Sequence, residues 1–201
     1  YKNNIHKNMH SEYCDRIYQY DKDFEVDGKI HVLIVGNSFA RDWGNILLES
    51  DMTDHISISY SYTFDDSILE RINSCDYIFA FMDKNDIPQY VWDNTDEAQV
   101  WGIGTKNFGE SNGVIYARRN SEEYFNLTVE LSTSYKELNE LWQSWWGDNY
   151  IDLIEPVLTQ DGEVRVFSDD NLFMSQDCHH LTRGGAQNYA NNLDFTSIFG
   201  E

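Results

Sequence analysis

Cationic side chains are scarce in this sequence: 14 lysines and arginines stand against 35 aspartates and glutamates, a formal charge of −21 over 201 residues. A field of that sign repels nucleic acid, anionic headgroups and phosphate-rich molecules, so nucleic-acid binding is argued against and a neutral, polar acceptor such as a carbohydrate fits better. Long apolar runs are missing too. None approaches the ~20 residues of a membrane helix, and no signal-peptide pattern is present. The three cysteines, Cys14, Cys75 and Cys178, form no C-x-x-C, and an odd number excludes complete pairing. A disulfide framework is therefore not expected, and a Cys14–Cys75 bridge is the pairing an oxidising compartment would leave open. Metal-ligand spacing is absent as well: Asp177, Cys178, His179 and His180 are ligand types, but neighbouring positions rarely converge on one ion, so neither metal nor cofactor is expected. Proline occurs twice, at Pro88 and Pro156, and there are no repeats or low-complexity tracts.

The remainder is the composition of a globular protein, 41% hydrophobic with 15% aromatic residues, and the length suits one domain with a sizeable core. Residues 1–28 are polar and read as a lead-in segment, with a short helix around Glu12–Tyr20 and a turn at Asp27-Gly28; residues 29–201 form the domain proper. From there strand-like and helix-like segments alternate. "IHVLIVG" (30–36), "HISISYSY" (55–62), "DYIFAFM" (76–82), "AQVWGIG" (98–104) and "YIDLIEPV" (150–157) are the strand candidates. Helical spacing places Phe39, Trp43, Ile46 and Leu47 on one face of 38–50, Ile68, Leu69 and Ile72 on one side of 65–75, and Tyr135, Leu138, Leu141, Trp142 and Trp145 on one stripe of 134–146; a further helix closes the chain. This alternation predicts an α/β protein, a three-layer α/β/α sandwich around a mostly parallel sheet of about five strands. Ligands of such sheets sit beyond the carboxyl ends of the strands.

Ser38 lies there, in "VGNSF" at the end of the first strand, where a helix N-terminus would aim backbone N–H groups at whatever the hydroxyl attacks. On "GNSF" alone the serine reads equally as a helix cap, and Ala40 stands where a nucleophile elbow would carry its second glycine. A base is offered by "SQDCHHLTRGGA": Asp177 and His180 are three residues apart, so the carboxylate can fix the imidazole tautomer while the other ring nitrogen faces the serine. His179 points elsewhere in that geometry.

The pairing of "VGNSF" with "DCHHLT" resembles the SGNH (GDSL-type) hydrolase and acyltransferase family, with its N-terminal G-D-S or G-N-S block and C-terminal D-x-x-H block. The resemblance implies a flavodoxin-like sandwich with Ser38 as nucleophile, His180 as base and Asp177 as its orienter. The chain departs from the family pattern elsewhere: "SYSYTFDD" lacks the second-block glycine, and "MDKND" carries Asp83 in place of the third-block glycine while keeping Asn85 and Asp86. Candidates for the oxyanion hole and substrate contacts are therefore Asn107 and Gly104 in "GTKNFGESNG", then Asn85, and Arg41 on the first helix. Arg41 and Asp42 read first as a solvated ion pair, and the tryptophans at 142, 145, 146 and 101 as packing rather than sugar platforms.

More narrowly, "VLIVGNSFARDWGNILLES", "GTKNFG", "YIDLIEPV" and "FMSQDCHHLTRGGAQNYA" resemble the extracytoplasmic SGNH domain that follows the membrane part of acyltransferase-3 type bacterial carbohydrate O-acyltransferases. A chain beginning at Tyr1 fits such an excised portion. That resemblance implies a carbohydrate acceptor, an acyl donor delivered by a membrane acyltransferase domain, an acyl-serine intermediate, and an extracytoplasmic location tethered to the membrane. With water as acceptor the same site is an esterase; without an oxyanion hole it is a non-catalytic carbohydrate-binding domain.

Overall fold

A computed structural model describes residues 11–96, 99–111 and 120–200. Its centre is a five-stranded sheet, parallel throughout, built from β1 (Ile30–Val35), β2 (Ile56–Ser61), β3 (Tyr77–Ala80), β4 (Val100–Ile103) and β6 (Tyr150–Ile151) in the order β2-β1-β3-β4-β6. β5 (Thr128–Glu130) and β7 (Glu163–Arg165) make a separate antiparallel pair that hydrophobic periodicity does not reveal. The helices are α1 (Ser38–Glu49), α2 (Leu69–Ser74), α3 (Gln89–Trp92), α4 (Thr133–Trp146), α5 (Arg183–Asn192) and α6 (Phe195–Phe199).

Alternation along β1 builds two cores. Val32 and Ile34 face one side, with Phe79, Ile103, Trp43 and Leu47 of α1 and Tyr189 of α5. Leu33 and Val35 face the other, with Ile78, Val100, Ile72 of α2, Val91 of α3 and Trp142 and Trp146 of α4. A strand buried on both faces needs the near-continuous apolar run that β1 has, and the result is an α/β/α sandwich.

Several elements differ from their sequence reading. The fifth strand stops at Ile151 because the Asp152 side chain accepts the N–H groups of Ile154 at 2.8 Å and Glu155 at 3.1 Å, turning the chain before Pro156. The helix read over 65–75 begins as a 3-10 turn, Asp66–Ile68, whose flanking Asp65 accepts Ser67 N–H at 2.8 Å. Leu69 and Leu141, assigned to buried stripes, are exposed, while Trp146 takes the core position on α4 with Trp142. Strand four starts at Val100; Ala98 lies outside the described residues. The lead-in segment contributes to the core: Ile17 is fully buried, and Arg16 holds α1 through Asn45 Oδ1 at 2.6 Å and Glu49 Oε1 at 2.9 Å. It also borders the edge strand, where Ser59 Oγ donates to Lys22 O at 2.6 Å. Cys14 is buried beside Leu181 and Asn45, whereas Cys75 packs on the opposite core, so no bridge joins them.

Candidate active site

Three segments meet at the carboxyl edge of the sheet: the β1–α1 turn, the loop after β4, and the 175–182 loop before α5. The first is shaped by Asn37. Its side chain accepts Phe39 N–H at 2.9 Å, so Asn37 is the N-cap and Ser38 the first helical residue. The hydroxyl of Ser38 is thereby left out of capping, and its backbone N–H belongs to the first turn, where no intrahelical acceptor exists. Tyr60 Oη donates to Gly36 O at 2.7 Å and fixes the strand end from the neighbouring β2.

The 175–182 loop folds around Asp177. Its Oδ1 accepts the N–H groups of His180 at 2.7 Å and His179 at 3.1 Å, and its Oδ2 meets His180 Nδ1 at 2.5 Å. On the far side of the ring, His180 Nε2 is 2.7 Å from Ser38 Oγ, although the two residues are 142 positions apart. Burial alone would raise the Asp177 carboxyl; the hydrogen bonds from the His180 ring and from the two N–H groups outweigh it and hold the group at about 2. A carboxylate on Nδ1 leaves the proton there, so Nε2 is the basic nitrogen and faces the hydroxyl. This relay can withdraw a proton from Ser38 and return it to a leaving group.

The other sequence candidates have structural tasks. Asn107 is buried and knits its own loop: Nδ2 donates to Gly109 O, while Oδ1 accepts Gly109 N–H and Ser132 N–H, all at 3.1 Å. Gly104 lies against β6, where a Cβ would come within 2.3 Å of Ile151 O, so the glycine serves strand packing. Asn85 closes a turn by donating its backbone N–H and Nδ2 to Asp83 Oδ1 at 2.8 and 2.9 Å. Arg41 turns to Asp15 Oδ1 and Asp42 Oδ1, both at 3.4 Å. The ion pair it makes with Asp42 is not solvated: Asp42 is fully buried. Residues 112–113 of the glycine-flanked loop lie outside the described residues. His179 stacks on Tyr135, with ring centroids 5.3 Å apart.

Sequence reasoning missed Lys106, which has no exposed surface and reaches Asp42 Oδ2 at 3.0 Å. Burial pushes its ammonium down from the usual lysine range, opposed by Asp42. The signal was there: Asp42 is four residues after Ser38, on the same helical side, and Lys106 stands between the two residues singled out after β4. Phe39 and Phe81 were also missed; they stack at 4.6 Å, and Phe39 lies 6.3 Å from the His180 ring, forming an apolar wall beside the imidazole.

No protein-family model matches the chain, and no curated protein matches it. Among solved structures, the periplasmic domain of a lipopolysaccharide acetyltransferase from Salmonella ser. Paratyphi A superposes with a TM-score of 0.56 at 14% identity, over 92% of this chain and 94% of that one. At that identity the likeness shows a shared fold.

Proposed function

We propose that this domain transfers an acyl group, acetyl in the simplest case, to a carbohydrate hydroxyl through an acyl-serine at Ser38. The observation that carries the reading is the unbroken relay from Ser38 Oγ through the His180 ring to Asp177, at 2.7 and 2.5 Å. In the first step Ser38 Oγ attacks the acyl carbonyl carbon as His180 Nε2 takes its proton. The tetrahedral oxyanion is met by the Ser38 N–H, and the leaving group departs with the proton from Nε2. In the second step His180 deprotonates the sugar hydroxyl, which attacks the acyl-serine carbonyl, and Ser38 leaves with that proton. Asp177 keeps the imidazole in the required tautomer and stabilises its cation.

Two observations support a sugar acceptor. The charge of −21 suits a neutral polyol better than an anionic acceptor, and the Salmonella protein sharing the fold is named as a lipopolysaccharide acetyltransferase domain. Its periplasmic placement supports an extracytoplasmic location here; a membrane acyltransferase domain as the donor's source rests on the sequence resemblance alone. Among the described residues no helix is long and apolar enough to cross a membrane.

A fluorophosphonate probe and 4-nitrophenyl acetate test the reading. Wild type is expected to label and to turn over the ester, and Ser38→Ala to do neither. Acetylated oligosaccharide as product supports transfer; free acetate alone, at any sugar concentration, would make the domain an esterase. Equal labelling of wild type and Ser38→Ala would overturn the nucleophile.

A further inference from the structure

We propose that the buried Lys106–Asp42 pair is the positioning device that holds Ser38 and His180 in reacting register, an inference that rests on the relay reading above. Asp42 stands one helical turn beyond Ser38 on α1 and is fully buried. Its Oδ2 accepts the N–H of Leu181, the residue after His180, at 2.9 Å, and meets Lys106 Nζ at 3.0 Å. Lys106 arrives from the loop after β4 and lays its ammonium 3.9 Å over the ring of Phe39, the residue after Ser38. Each reacting residue thus has its immediate neighbour fixed by the same two charges. A further tie, Phe108 N–H to Cys178 O at 2.9 Å, runs between the same two loops.

The chemistry of the pair points to placement rather than cohesion. Burying an ammonium and a carboxylate together is costly, and an apolar pair of similar volume is commonly as stabilising or more so. The Lys106 ammonium has the Asp42 carboxylate at 3.0 Å and the Phe39 ring at 3.9 Å as its close counterparts. A pair joining three chain segments, each bordering the relay, fixes distances between them that apolar contacts would leave free to slide. An error of about 1 Å in such a geometry costs on the order of 100-fold in rate.

The test replaces the pair by apolar residues, Asp42→Leu with Lys106→Met, and compares that protein with wild type in three measurements: thermal midpoint, kcat and KM for 4-nitrophenyl acetate, and hydrogen exchange of the Leu181 amide. The expected outcome is a folded protein with a lower midpoint, because Arg41 also loses Asp42 as a partner, with KM within about 2-fold, kcat lower by about 100-fold at temperatures where the variant is folded, and loss of Leu181 protection. A folded double variant with wild-type kcat overturns the proposal and leaves the pair a structural filler. Should the double variant not fold, Asp42→Asn keeps an acceptor for Leu181 N–H but removes the charge that fixes Lys106. A 10-fold or larger fall in kcat at constant KM then supports positioning, and an unchanged kcat overturns it. Wild type that neither labels at Ser38 nor turns over ester defeats the relay reading instead. Positioning is then read from the imidazole Nδ1 proton of His180 by NMR: its resonance must shift in the variant, and an unmoved resonance overturns the proposal.

Discussion

At the scale of single residues, Asp177 carries the sharpest consequence. Its carboxyl is held at about 2, below the ordinary value of 3.8, so its bonds to His180 and His179 contribute stability that is complete above pH ~4 and is lost as pH falls toward 2. Asp177→Asn should therefore be less stable than wild type above pH ~4, by a margin that shrinks toward pH 2; urea midpoints measured across that range check it. The margin is small, because half of the side chain faces solvent. Catalysis is affected far more: an amide on Nδ1 admits the wrong tautomer, and a fall in kcat of about 10,000-fold is expected, as in serine proteases. Ser38 and Asn37 illustrate how far a residue is legible in sequence. Both are good N-cap types, and only the folded turn assigns the cap to Asn37, leaving the serine hydroxyl to His180. For Lys106 the sequence marks a place beside the site but not the burial, because a lysine in a polar loop is ordinarily solvated and its burial depends on Asp42 and Phe39, far away in sequence.

At the scale of elements, the glycine pair opening α5 is costly for a helix, about 1 kcal/mol each, and the packing explains it. A Cβ on Gly185 would lie 2.2 Å from Met174 O, a backbone atom of the chain leading into the Asp177 loop. That carbonyl also accepts Thr182 N–H at 3.1 Å, so it has little room to give. Gly185→Ala should destabilise by about 2–3 kcal/mol, as overpacking does, and lower Ser38 labelling at temperatures where the protein remains folded. Denaturant midpoints and probe labelling of the same preparation separate the two effects. Elements long and periodic enough to bury a face, such as β1 and α1, were read from sequence within about one residue. Those closed by a side chain, as Asp152 closes β6, or paired at a distance, as β5 with β7, leave no periodic trace. On α4 helical spacing marks Trp142, which is buried, but also Leu141, which is exposed, because which flank of a stripe is buried depends on the sheet it meets.

At the scale of the whole molecule, a net charge of −21 is a source of self-repulsion. Glu130, Glu140, Asp152, Glu155, Asp161 and Glu163 crowd one cleft between α4, the segment after β6 and the β5–β7 pair, with Lys136 among them. Screening should relieve this: the thermal midpoint is expected to rise by a few degrees between about 10 mM and about 150 mM sodium chloride, where the Debye length falls from ~30 to ~8 Å. A midpoint that is flat or falling with salt, followed by calorimetry, would mean that attractive surface pairs such as Arg71 with Asp21 and Asp23 outweigh the repulsion. The layered α/β architecture was legible because alternating strands and helices leave few alternatives. The edge at which its ends converge was legible as a place, and so was the meeting of Ser38, His180 and Asp177 there; the contacts of Asn107, Asp42 and Lys106 were not.

The distance along the chain between Ser38 and His180 has a consequence for biosynthesis. The serine follows β1, the first strand of the sheet in chain order, whereas its base comes 142 residues later, after all five strands of the central sheet have been made. A ribosome-bound or truncated chain can therefore complete much of its sheet before the base is in place, and on the proposed mechanism Ser38 gains reactivity only when the 175–182 loop docks. Labelling of Ser38 would thus time the closing event of folding.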